Sequence, residues 1–241
     1  MSLLVDCVKF IETYRGRDKI IRLCSYAAML VGGDNTSPIS EKARVIGREL
    51  SACRVILRLF DDLPMLAYNL QYGLGSKEKN PCLRVCELGS NLVNQLYYPI
   101  EHIAWCADKQ LLTIKSGSFW LAGLILWAIS LTLQAVKCLL TIARLKRSAN
   151  RLKKQRYLDG QDQYYENSEQ REELWLQLHG VQADIFSQYL LLLQSMADLL
   201  NAINWLPKGW LWGGRFGAAK SGLFGLASSL IMLFRHWYSR S

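Results

Sequence analysis

From Ser116 to Val136 the chain carries neither charge nor proline. That run meets the roughly 20 helical residues that a bilayer core requires, and Ser130 and Thr132 are the polar side chains between Phe119 and Leu133. A helix of a water-soluble protein keeps one face polar. The pattern therefore predicts a transmembrane helix over residues 116–143. A second charge-free run, Ser221 to Phe234, is shorter, with Arg215 and Lys220 on its approach. It predicts a C-terminal transmembrane or hairpin segment over 207–241.

Upstream the periodicity is helical and amphipathic, so residues 1–115 read as a region of N-terminal amphipathic helices. Residues 1–31 form a helix broken near Gly16 and ended by Gly32-Gly33-Asp34-Asn35. Ser37-Pro38 restarts the chain, an N-cap residue followed by proline in the first helical position. In the helix that follows, Ile46, Leu50, Cys53, Leu57 and Phe60 recur at steps of four and three. They fall within a sector about 80° wide, and Arg44, Arg48, Arg54 and Arg58 spread over roughly 120° on the other side. A narrow apolar stripe backed by guanidinium groups suits a helix lying in a membrane interface, with the stripe in the acyl boundary and the arginines at phosphates. The same pattern also fits a bundle helix with a solvated basic face. Beside a membrane span, the segment Glu41 to Tyr68 is read as interfacial and Arg44, Arg48, Arg54, Arg58, Ile46, Leu50, Leu57 and Phe60 as lipid-binding. Residues 72–81 form a loop without a phosphate-cradling motif, and a helix from Cys82 to Asp108 is expected to kink at Pro99.

Residues 144–206 read as a basic then acidic loop and a long amphipathic helix. Lys137, Arg144, Lys146, Arg147, Arg151, Lys153, Lys154 and Arg156 follow the span with no acid among them, and Asp159 to Glu173 is mostly acidic and polar. The helix from about Glu169 is stopped by Pro207. Gly209, Gly213, Gly217, Ser221, Gly225 and Ser229 then stand four apart. On one helix they would make a strip of small residues that allows close helix approach, and they are taken as an oligomerisation surface. Trp205, Trp210, Trp212, Trp237 and Tyr238 flank it like interfacial belts.

Scarce proline, at 5 residues, agrees with a mostly helical chain, so the fold class is all-α and integral to a membrane. The net charge of +9 suits an anionic phospholipid surface. Nucleic acid is not expected as a partner, because no zinc spacing, aromatic RNA-binding pair or basic region feeding a heptad accompanies the charge. The 7 cysteines include no Cys-x-x-Cys, which argues against a disulfide framework. Cys82 and Cys86 share a helix face without matching ligands, so no metal and no cofactor are expected. His102 beside Glu101 has no placed nucleophile, and the chain is not read as an enzyme. Asp6 and Lys9 interrupt the first apolar residues, so these are not a secretory signal. The final Ser-Arg-Ser differs from the Ser-Lys-Leu type of peroxisomal address.

Four blocks occur in order: Tyr14-Arg-Gly-Arg-Asp-Lys-Ile-Ile-Arg-Leu-Cys-Ser-Tyr26, Ser51-Ala-Cys-Arg-Val-Ile-Leu-Arg-Leu-Phe-Asp-Asp62, Tyr97-Tyr-Pro-Ile-Glu-His-Ile-Ala-Trp105 and Gly222-Leu-Phe-Gly-Leu-Ala-Ser-Ser-Leu-Ile231. Together the chain resembles the peroxin-eleven family of peroxisomal membrane proliferation and elongation factors, nearest its gamma-type branch. The resemblance implies a multi-pass peroxisomal membrane protein with both termini cytosolic. It implies membrane elongation and tubulation before peroxisome division, driven by an inserted amphipathic helix and by self-association with copies and related family members, and contact with the fission machinery. It also implies a lumenal loop after the first span, whereas the positive-inside rule points that basic segment to the cytosol; the family topology is the expectation kept. A pore for small metabolites, also suggested for the family, is the alternative, with Ser130, Thr132 and Gln134 as the polar groups its first span offers.

Overall fold

Helix boundaries fall where short polar side chains, proline and glycine dictate them. The computed structural model describes residues 3–161 and 168–238, and among these all regular structure is helical. α1 (Leu3–Glu12) and α2 (Tyr14–Gly32) meet at Thr13, whose hydroxyl accepts from the Gly16 amide at 3.0 Å and caps α2. The break thus lies three residues before the expected Gly16. Gly16 matters at this corner for its missing side chain, since a Cβ there would overlap the Phe10 carbonyl. Ser37 and Pro38 open α3 (Pro38–Arg58) as their order predicts, with Ser37 accepting from the Ser40 amide at 3.2 Å. α4 (Asp62–Tyr72) ends at Gly73, which has a φ of 56°. Asn80 then caps α5 (Pro81–Asp108), which continues through Pro99.

The apolar run begins α6 (Ser116–Gln161), a single helix of 46 residues. The segment after residue 143, read as a basic loop, is its uninterrupted continuation, because Lys, Arg, Leu and Gln are strong helix formers. Part of the expected acidic loop is also helical, with residues 159–161 closing α6 and residues 168–173 opening α7 (Ser168–Asn204). Residues 162–167, also within that loop, lie outside the described residues. α8 (Ala218–Tyr238) closes the chain. Among the described residues α6 is the one helix long and apolar enough to cross a membrane. α8, expected as a second span, is the antiparallel partner of α7 and packs also on α2.

Neighbouring helices follow the spatial order α4, α5, α6, α7, α8, α2, α3, with α1 against α2. Arg58 of α3 reaches Glu101 of α5 and closes this row into a ring. Burial mixes apolar side chains, among them Phe10, Leu83, Ile142 and Ile203, with polar ones. The interior collects Asn91, Glu101, Ser195, Asp198, Asn201 and Ser228, while Leu92, Leu96, Phe186, Leu193, Leu230 and Phe234 point outward.

The seam between α8 and α2 is the tightest of these contacts. A Cβ on Gly225 would overlap the Tyr26 ring, and one on Gly222 would come within 2.5 Å of the Leu30 nitrogen. Replacing Gly225 with leucine should therefore cost about 3 kcal/mol through forced separation of the helices, read as lowered resistance to unfolding in detergent. An unchanged midpoint would mean that α2 and α8 do not meet here.

Candidate membrane-facing site

The phase of α3 is set by its small residues. Ser40, Ala43 and Gly47 turn toward α2, where the Ser25 hydroxyl donates to the Gly47 carbonyl at 3.2 Å. Arg54 and Arg58 lie on the same side of the helix and point inward. Arg54 pairs with Asp18 of α2 at 2.9 Å, and Arg58 holds Glu101 through both nitrogens, at 2.8 and 2.5 Å. Tyr97 donates to the same carboxylate at 2.9 Å. Arg44 lies half-buried and donates to the Asn35 carbonyl, and Arg48 is exposed. The four arginines thus divide, two toward the interior and two along the rim.

Their rotation leaves the apolar stripe outward. Ile46 and Phe60 are 55% and 72% exposed, Cys53 is exposed, and Leu50 and Leu57 are half-buried. The stripe runs on into α4, where Leu63, Leu66 and Leu70 are also exposed. The corner between α3 and α4 is pinned from below by Asp61, which accepts from Tyr14 at 3.4 Å and pairs with Arg15 at 3.1 Å. Burial pushes the Asp61 carboxyl up, against the pull of Arg15, and burial together with the Asp61 charge raises the Tyr14 phenol. α4 is tied to α5 by His102 against Asp62 at 2.9 Å and by Tyr68 donating to Glu87 at 2.8 Å. The Glu87 bond and burial push the Tyr68 phenol up to about 12, so it stays a donor. Glu101 and His102, adjacent in sequence, thus serve different structural partners. Among the described residues no group of three metal-ligating side chains converges.

The small-residue series does not lie on one helix. Gly209 and Gly213 sit in the turns before α8, and Gly217 abuts the Asp34 carboxylate. Asn204 forces this: it accepts from the Phe216 amide at 2.8 Å and donates to the Phe216 carbonyl and the Ser221 hydroxyl. Ser221, Gly225 and Ser229 do share a face of α8, buried within the chain. Gly225 there lies against Tyr26 of α2.

Three charged pairs, missed by reading single helices, surround a cavity of about 280 Å³ between α2, α3, α5 and α6. Arg22, Arg54, Arg58, Tyr26, Tyr97 and Trp127 are among its lining residues. Arg22 donates to Asp198 of α7 at 2.5 Å and to Ser228 of α8 at 2.8 Å. One signal was available: Ser195, Asp198, Asn201 and Asn204 recur every three residues in the mostly apolar last turns of α7.

Comparison with known proteins agrees with this membrane-type architecture. The family model described as peroxisomal biogenesis factor 11 (PEX11) matches residues 4–237. The chain is similar to peroxisomal membrane protein 11C of Mus musculus, with 39% identity over 96% of this chain and 93% of the mouse protein. It is 36% identical to peroxisomal membrane protein 11C of Homo sapiens, over 98% of this chain and 95% of the human one. No solved structure matches the chain.

Removing one partner of a buried ion pair strands the other. Arg58→Ala should destabilise the chain by about 3–5 kcal/mol, and the double variant with Glu101→Gln should recover part of that loss in a double-mutant cycle. An Arg58 that served headgroups instead would weaken vesicle binding with stability unchanged.

Proposed function

The chain belongs to the peroxisomal biogenesis factor 11 family, and from that membership we propose that it is a multi-pass peroxisomal membrane protein, both termini cytosolic, which elongates and tubulates the membrane ahead of peroxisome division. The names of the mouse and human relatives support the compartment. α6, with its length and apolar composition, anchors the chain. The observation that carries the mechanism is the outward apolar stripe of α3, exposed at Ile46, Cys53 and Phe60, whose rotation the inward Arg54 and Arg58 pairs fix.

In this reading Ile46, Leu50, Leu57 and Phe60 enter the acyl boundary and widen one leaflet relative to the other. Arg44 and Arg48 meet the phosphates of anionic lipids from the rim. Arg54 and Arg58 act one step back, by holding the helix at the phase that presents the stripe. Self-association with copies and with related family members then concentrates the strain, and the fission machinery acts on the tubule. Because Ser221, Gly225 and Ser229 are packed inside the chain, that association uses surfaces other than the α8 seam. No step requires an enzymatic group or a cofactor.

The cavity of about 280 Å³ favours a second reading, a pore for small metabolites. Its arginines are paired with carboxylates, and conduction needs polar groups open to a water path. Single-channel conductance of the purified chain distinguishes this reading from remodelling.

The full chain reconstituted into vesicles containing anionic lipid should draw out tubules. The variant Ile46→Glu with Phe60→Glu should remain membrane-resident through α6 and lose tubulation. Tubules drawn by that variant at the native rate would refute insertion by α3. Replacing Arg48 with glutamate should weaken the response to anionic lipid while sparing the fold.

A further inference from the structure

α5 lies antiparallel along the whole charge-free stretch of α6. At one end Trp120 donates to Asp108 at 2.8 Å. Midway Ser130 donates to Asn94 at 2.8 Å, and Gly89 stands against Leu133. At the other end Lys137, the first charge after the run, is paired with Glu87. Between Glu87 and Asp108 a helix rises roughly 30 Å, the thickness of a bilayer core. Any bilayer that α6 crosses therefore holds this length of α5 at the same depth.

The faces of α5 fit that placement. Val85 and Leu92, 67% and 62% exposed, look outward with Leu96 and continue the outward surface of α6. Of its polar groups, Ser90, Asn91 and Glu101 are buried, and the half-buried Asn94, Gln95 and His102 are bonded to Ser130, Asn69 and Asp62 of neighbouring helices. Hydropathy averaged around the helix hides this, because the inward polar face cancels the outward apolar one.

We propose that α5 is itself a membrane-crossing helix, its Val85–Leu92–Leu96 face occupied by lipid acyl chains. The proposal rests on α6 being a span. It fixes relative sides. The segment before α5 and the basic continuation of α6 lie together, which the Arg144–Glu78 pair at 3.3 Å shows directly. The turn at residues 109–115 lies on the opposite side. α7 and α8 then form a second hairpin whose end returns to the middle of α7, with the Tyr238 ring 5.4 Å from that of Phe186. The basic residues 144–156 come to share a side with the segment that leads into α5, Lys77 and Lys79 included, as the positive-inside rule asks. A chain with α6 as its first crossing cannot satisfy that rule and keep both basic regions together.

The test uses full-length chains in sealed organelles, each with one recognition site for a sequence-specific protease. The site is placed between an N-terminal tag and Met1, after Leu112, or within residues 162–167, and each insertion is confirmed as cleavable after detergent. The expected result is that the N-terminal and 162–167 sites share one accessibility and the Leu112 site has the other. Leu112 grouped with the N-terminus, and 162–167 opposed, would overturn the proposal by making α6 the first crossing. Residues 162–167 grouped with Leu112 against the N-terminus would also overturn it. Equal accessibility of all three would overturn it too, and alkaline carbonate extraction then separates the causes. Release from the membrane would mean that the α6 reading itself has failed, while retention would confine the failure to this arrangement of crossings.

Discussion

A charge can leave water only in the company of its opposite, and the ring of helices follows from where those partners stand. Arg22 of α2 meets Asp198 of α7, Arg54 of α3 meets Asp18 of α2, and Arg58 of α3 meets Glu101 of α5. Each pair joins two helices, and the Arg22–Asp198 pair joins segments 176 residues apart in the chain. In a bilayer, apolar packing between helices gains little over contact with acyl chains. The polar pairs, together with the small-residue seam of α8 on α2, then specify which helix sits beside which. The outward apolar surfaces are what remains once those inward contacts are made.

The arginines of α3 show how one feature can carry two meanings. From sequence they form a single basic face opposite the apolar stripe. The small residues Ser40, Ala43 and Gly47 decide otherwise, because they let α2 approach on the side that includes Arg54 and Arg58. The outward surface of the helix is then its apolar stripe, with Arg44 and Arg48 along the rim. The inward pair supplies the torque that keeps the stripe exposed.

Helix positions were legible where they depend on neighbours in sequence, as at Ser37-Pro38 and the loop of residues 72–81. The charge-free run of α6 was legible for the same reason. The continuation of α6 past residue 143 differs from the expected loop because a run of like charges does not end a helix, and Lys and Arg propagate helices well. The strip from Gly209 to Ser229 was misread as one helix because a spacing of four carries no information on where a helix starts. Asn204, through bonds to Phe216 and Ser221, holds the chain in turns until residue 217. The ion pairs could not be read at all from single elements, since Arg22 and Asp198 are neighbours only after the chain has folded back several times.

The unbroken length of α6 has a mechanical corollary. With 46 residues it extends roughly 70 Å, more than twice the thickness of a bilayer core. It contains no proline and no internal break between the apolar half and the basic half. The portion beyond Lys137 is therefore a rigid lever of roughly 35 Å fixed to the transmembrane portion. A change of 10° in the tilt of the span, well inside the ordinary range of tilts, swings the far end sideways by about 6 Å. Packing against neighbouring helices and interfacial anchors set tilt, and a change in either is in this way converted into displacement at a distance from the membrane.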